Sequence, residues 1–260
     1  MNAPRAILRC PGGKARLAPW ITGFLPPHAR YLEPWGGAAS VLMQKPACGD
    51  ETVNDLDERI VNVFRVLRDP AQSAELARRL RLTPYARAEL AWSYGAPADA
   101  VDAAHKTLVR SMLGHGSDAL ARLRRAGFRS RVAGNAISPA KDWAEYADAI
   151  EAFTQRLAGV VIEQGDALQL LARLDGPDLL VYADPAELDE ESRAVTLQAL
   201  NAAQAMIVLS LDADAAELPG WECQERRYMD AGDRAREQLW LNPACAAALN
   251  LPRPGRALFG

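Results

Sequence analysis

Leu32-Glu33-Pro34-Trp35-Gly36-Gly37-Ala38-Ala39-Ser40 reads as a short strand that ends in a glycine turn and opens a helix. The extended run Arg30–Trp35 feeds the turn, and Ala39–Met43 continues it with helix-forming residues. At the carboxyl edge of a parallel sheet such a turn is where a nucleoside-type ligand binds. The GxGxxG spacing is missing, so a dinucleotide is not specifically implied. Downstream, Thr52–Asn54 is a second short strand that delivers Asn54-Asp55 to the same edge. Asp55 there suits ribose hydroxyls as an acceptor, and equally suits the N-cap of the helix that follows. That helix, Leu56–Leu67, has apolar residues at 56, 60, 63, 64 and 67, and Asp69-Pro70 ends it.

From Ala71 to about Trp143 the strand signals stop. Leu76, Leu80 and Leu82 keep a helical period, and Thr83-Pro84 is a helix start with threonine as N-cap and proline at the first helical position. Ala98–Leu113 is helical again, and Ser138-Pro139 opens a helix through Trp143, Tyr146, Ile150, Phe153 and Leu157. Alternation then returns. Gly159–Glu163 is a strand, Asp166–Leu174 a helix, Leu179–Ala183 a strand, Glu190–Leu200 a helix and Ala205–Leu211 a buried strand. Tyr228 and Glu237–Leu241 belong to closing strands. The fold class is therefore α/β: a largely parallel sheet with helices on both faces. Residues 1–65 and 150–260 form one discontinuous domain, and residues 66–149 a helical insertion.

Composition removes several function classes. The chain has 260 residues, 49% hydrophobic and 24% charged, which suits a globular domain with a sizeable core. No run of about 18 apolar residues offers a membrane span. Met1–Arg9 has no apolar signal core, so a cytoplasmic location is expected. Four scattered cysteines without a CxxC pair, and three histidines without HExxH, argue against a zinc site, a disulfide framework or a hydrolytic metal centre. The net charge of −3 gives no overall pull toward nucleic acid. A local patch does exist: Arg122, Arg124, Arg125, Arg129 and Arg131. It reads either as a solvated loop or as a surface that contacts phosphates through planar guanidinium forks.

Two further motifs complete the set. Pro11-Gly12-Gly13-Lys14 pairs glycines, which allow close backbone approach, with a point charge; alone it is a plain turn. Leu179-Leu180-Val181-Tyr182-Ala183-Asp184-Pro185 brings a carboxylate and a proline carbonyl to the sheet edge. In this order the motifs resemble the DNA adenine-N6 methyltransferase family, the Dam-like group. That family has a PGGK segment, an EPFGGGAS-type turn, a strand ending in ND, a helical target-recognition insertion and a catalytic DPPY. Thr83-Pro84-Tyr85 with Arg87 and Glu89 resembles its TPYxRxEF segment. Ser111-Met112-Leu113-Gly114 and Gly127-Phe128-Arg129 resemble segments of phage-borne members, which suggests a prophage origin.

The resemblance implies a Rossmann-like sheet that uses S-adenosylmethionine. Cys10, Lys14, Glu33, Pro34, Gly36, Gly37, Asp55 and Asp184 would line the cofactor. Asp184 and Pro185 would be catalytic, accepting hydrogen bonds from the amino group of a flipped adenine. Arg87 and the arginine patch would contact double-stranded DNA. The expected protein is a monomer without metal or membrane contact. One departure bears on activity: where the family has DPPY, this chain has Asp184-Pro185-Ala186-Glu187. The aromatic that stacks on the base is replaced, a loss of about 1–3 kcal/mol. The loop before the next helix is also short. Tyr182 and Tyr85 are the aromatics left to take the stacking role if transfer survives. An impaired methyltransferase and a silent DNA- or cofactor-binding module both follow from this pattern.

Overall fold

The computed structural model describes residues 6–10, 12–115, 125–130, 138–185, 188–212, 218–230 and 233–250. Its strands are β1 (Arg30–Glu33), β2 (Asp50–Asn54), β3 (Val161–Glu163), β4 (Leu179–Ala183), β5 (Met206–Asp212), β6 (Glu222–Asp230) and β7 (Asp233–Leu241). They form one seven-stranded sheet in the order β3-β2-β1-β4-β5-β7-β6. The first five pair in parallel, and β7 runs antiparallel to both β5 and β6. This is a mixed α/β fold consistent with a Rossmann-like methyltransferase.

Every residue of β4 is buried, because successive side chains enter opposite cores. Leu179, Val181 and Ala183 pack with Leu170 and Leu171 of α8 (Ala167–Leu174) and Leu200 of α9 (Glu190–Ala202). Leu180 and Tyr182 join the larger cluster on the other face. That cluster holds Ile21 of α1 (Ala18–Ile21), Phe64 of α2 (Glu58–Arg68), Leu76 of α3 (Pro70–Leu82), Leu108 of α5 (Ala100–Leu113) and Phe153 of α7 (Ile150–Leu157). The helices of residues 66–149 thus share an apolar core with the sheet. Among the described residues, the one β-type pairing in that stretch is an isolated bridge between Gly114 and Phe128.

Four local expectations give way to tertiary geometry. Residues 39–43 form turns, not a helix: buried Ala39 sits at φ 49, in the left-handed region. Thr83 does not start a helix. It follows the last residue of α3, where its hydroxyl donates to the Arg79 carbonyl at 2.8 Å, and α4 (Arg87–Ser93) begins beyond Pro84. The continuous helix expected from Pro139 is three pieces: α6 (Pro139–Ala144), a 3-10 turn over Tyr146–Ala149, and α7. Asp55 is not the cap of α2; Asp57 is, accepting from Arg59 N at 2.9 Å. Asp69-Pro70 does end α2, and in the same step it starts α3, with the Asp69 side chain accepting from Ala71 N and Gln72 N.

Candidate functional site

The chain leaves the carboxyl ends of β1, β2, β3 and β4 into one cavity of about 650 Å³. Strand order reverses between β1 and β4, and an open parallel sheet splits apart at such a point to leave a crevice.

Asn54 and Asp55 divide the work at the end of β2. Asn54 is 1% exposed; its amide nitrogen donates to the Pro34 carbonyl at 2.8 Å and the Gly165 carbonyl at 3.0 Å. Its amide oxygen accepts from Gly165 N at 2.9 Å. The side chain therefore ties the turn after β1 to the turn after β3. Asp55 lines the cavity and holds the turn from the other side, accepting from Gly37 N at 2.8 Å and Asp57 N at 2.8 Å. Burial raises its carboxyl pKa, against the pull of these backbone donors.

The paired glycines have different reasons. A Cβ on Gly36 would meet Val53 Cγ2 at 2.5 Å and the Asn54 carbonyl at 3.0 Å, so Gly36 lets the turn lie against β2. Gly37 has φ +51, and a Cβ there would meet nothing within 4 Å. Glu33 is buried under the turn, where its carboxylate accepts from Tyr31 Oη at 2.7 Å and Leu42 N at 2.5 Å. Burial raises its pKa to about 7, although both donors lower it.

Across the cavity, Lys14 Nζ lies 3.3 Å from Asp184 Oδ1 and 3.3 Å from Glu237 Oε1 on β7. Burial pulls the Lys14 pKa down, but the two carboxylates outweigh it and hold the group above its ordinary value. Cys10, Gly12, Gly13 and Lys14 form a wall between this cavity and a second one of about 690 Å³. Burial, with Asp55 and Asp57 nearby, pushes the Cys10 thiol up to about 12. Arg9, Arg16, Arg129, Ser111, Tyr228 and Glu237 line the second space.

The cofactor residues expected from sequence thus converge: Cys10, Lys14, Glu33, Pro34, Gly36, Gly37, Asp55 and Asp184 all line the first cavity. Pro185 is partly buried beside it. Three of the six expected arginines, Arg87, Arg125 and Arg129, fall within the described residues. Arg122, Arg124 and Arg131 lie outside the described residues, as do Ala186 and Glu187. Arg129 borders the second cavity; exposed Arg87 stacks 5.0 Å over Phe128, and exposed Arg125 5.3 Å over Tyr94. Tyr182 is 3% exposed, with its ring in the core. Tyr85 packs on Phe128 and donates to the Arg129 carbonyl at 2.6 Å.

Asp166, Glu191 and Glu237 are acidic lining residues that the sequence reading did not single out. Asp166 follows β3 and caps α8, accepting from Gln169 N at 2.8 Å; its signal was Gly165-Asp166 after a strand. Glu237 carried no local signal, because it reads as one polar position in a closing strand.

The first cavity has an acidic balance. Its described lining includes Glu33, Asp55, Asp166, Asp184 and Glu191, with Lys14 as the one ammonium. This donor set, with open space over Gly37, suits a nucleoside that carries positive charge, as S-adenosylmethionine does. Among the described residues no group of three or more metal-ligating side chains is close enough to hold a metal ion. No described helix is long and apolar enough to cross a membrane. The family described as D12 class N6 adenine-specific DNA methyltransferase matches residues 11–186. No curated protein matches the chain.

Proposed function

We infer, for a chain that belongs to the D12 class of N6 adenine-specific DNA methyltransferases, that the acidic cavity binds S-adenosylmethionine and that Asp184 and Pro185 present an adenine amino group to it. The observation that carries this reading is the convergence of the Gly36-Gly37 turn, Asp55 and Asp184 on one cavity at the strand-order reversal. When bound, S-adenosylmethionine supplies an electrophilic methyl group on a sulfonium. Asp55 accepts from ribose hydroxyls with the lone pairs that Gly37 N and Asp57 N leave open. The carboxylates of the lining complement the cofactor's positive charge.

The Asp184 carboxylate and the Pro185 carbonyl accept the two amino hydrogens of a flipped adenine. That localises the nitrogen lone pair, which is otherwise delocalised into the ring. The methyl would pass from sulfur to the amino nitrogen, the S–C bond breaking with its electron pair left on the sulfur of a neutral thioether, and the Asp184 carboxylate would take the proton that the methylated nitrogen must lose. Double-stranded DNA is the substrate, and it lies over the second cavity, against Arg9, Arg16 and Arg129. Arg87 and the remaining arginines of the 122–131 patch track phosphates.

Transfer is slow in this member. Ala186-Glu187 supplies no ring to stack on the base, which costs about 1–3 kcal/mol, or tenfold to over a hundredfold in rate. β4 ends at Ala183 and α9 begins at Glu190, so little chain is left to cover the substrate. The same two features favour a second reading, a silent member that binds DNA and cofactor without transfer.

The test pairs incorporation of labelled methyl groups into unmethylated duplex DNA with calorimetric titration of S-adenosylmethionine. Slow transfer with cofactor binding supports the first reading, and binding without transfer the second. Absence of binding at millimolar cofactor removes both. For the DNA contacts, Arg124→Ala combined with Arg129→Ala should flatten the salt dependence of duplex binding by about 0.9 in slope per lost phosphate contact. An unchanged slope would leave these arginines as solvated surface.

A further inference from the structure

Glu237 stands outside the residues that the family matches, 11–186, yet it shares a lysine with Asp184. It sits on β7 with its side chain 5% exposed. Ser210 of β5 donates to the same carboxylate oxygen that faces Lys14. Arg226 of β6 lies directly across the ladder from Glu237, with its guanidinium 5.8 Å over the Trp20 ring. A buried carboxylate held this way is a weak device for stability, since apolar packing serves as well. Its value lies in where it puts the ammonium.

We infer that Glu237 is a positioning residue for Asp184, acting through Lys14: it holds the ammonium midway between the two carboxylates and takes it over when Asp184 turns to the substrate amino group. The inference rests on the reading of Asp184 as the amino acceptor. Without a second carboxylate, the ammonium would settle on Asp184 and occupy the lone pairs that the amino group needs. Equal distances of 3.3 Å to the two acids describe a shared cation that is not committed to either.

The geometry allows the shift. The Lys14 backbone is pinned, its carbonyl accepting from Leu17 N at 2.9 Å and Ala18 N at 2.7 Å, so the side chain moves from a fixed root. Asp184 is the more exposed acid, 21% against 5% for Glu237. It stands where a ligand arrives, while Glu237 stays buried behind the lysine. The titratable and charged groups around this centre are Tyr182 from β4 and Asp184 just after it, Glu237 from β7, Glu33 from β1, and Arg226 from β6 across from Glu237.

The chain has four lysines, so ¹³Cε-lysine labelling gives four signals, and Lys14→Arg assigns the one of interest. The readout is the titration midpoint of Lys14 in the intact, ligand-free protein. Glu237→Gln should lower it, Glu237→Asp should restore part of the shift, and Ser210→Ala should raise it by removing a competing donor. Ser210→Ala also serves if Glu237→Gln does not fold. A midpoint that moves in neither variant overturns the inference. In methyl transfer, Glu237→Gln should lower kcat about tenfold and leave the KM for S-adenosylmethionine unchanged. A shifted midpoint with unchanged kcat also overturns it. A wild-type protein that binds cofactor but transfers no methyl counts against the active-enzyme reading, and the lysine titration still decides whether Glu237 sets Lys14.

Discussion

The two sides of the cavity are built by different forces. On the β1–β2 side, backbone groups do the holding: Gly37 N bonds to Asp55, Leu42 N to Glu33, and Asn54 clasps the carbonyls of Pro34 and Gly165. On the β4–β7 side, the holding is electrostatic: Lys14 bridges Asp184 and Glu237, which come from distant parts of the chain. Short directional hydrogen bonds fix one geometry, whereas a cation between two acids has two acceptable partners. One side is therefore a rigid cradle and the other an adjustable centre. Placing the invariant part of a ligand on the first and the reacting group on the second follows from that difference.

The largest expected effect separates the two sides by function. Asp184→Asn should lower methyl transfer by about a hundredfold or more, while S-adenosylmethionine still raises the melting temperature through the untouched cradle. Loss of both together would mean the sides are not independent. Asp55→Ala breaks the cradle instead. It removes a carboxylate from two backbone N–H groups, so unfolding free energy should fall by about 2–3 kcal/mol in urea denaturation. The thermal shift on adding cofactor should vanish with it.

The twin glycines sharpen the comparison within the cradle. Gly36→Ala must displace Val53 or the β2 backbone and should cost about 1–3 kcal/mol. Gly37→Ala meets open space and should cost about 1 kcal/mol from its left-handed backbone. Equal losses in denaturation would refute the distinct reasons given for them. The same cradle can be probed by pH through Glu33, whose pKa rises from 4.5 to about 7 on folding. A raised acid contributes stability that is complete below pH 4.5 and lost as pH rises through 7. Glu33→Gln should flatten the fall of melting temperature between those values. An unchanged slope would show that Glu33 is charged throughout.

Legibility divides along the same line. Leu179–Ala183 was readable as a buried strand to the residue, because an uninterrupted apolar run between turn residues has few other homes in an α/β chain. The glycine turn, Asp55 and Asp184 were readable as an edge site because each follows its strand directly. Errors fell where a local signal had two meanings. Thr83-Pro84 matches a helix start, but the preceding helix claims the threonine. Asp55 and Asp57 both suit a cap, and only the approach of Gly37 assigns Asp55 to the turn. Ala39 carries a helix-favouring side chain in a position that demands a left-handed backbone.

By itself the sequence determined the alternation of strands and helices, the edge residues Asp55 and Asp184 after β2 and β4, and the identity of Ala186 and Glu187 after Pro185. These are local: each depends on periodicity or on neighbours within a few positions. The tertiary structure alone decided that Lys14 stands between Asp184 and Glu237, that Asn54 is a clasp while Asp55 faces the cavity, and that the segment through Gly12, Gly13 and Lys14 separates two spaces. The physical reason is that charge and burial act through space. A single glutamate in a closing strand gains its meaning only when the sheet brings β7 beside the end of β4.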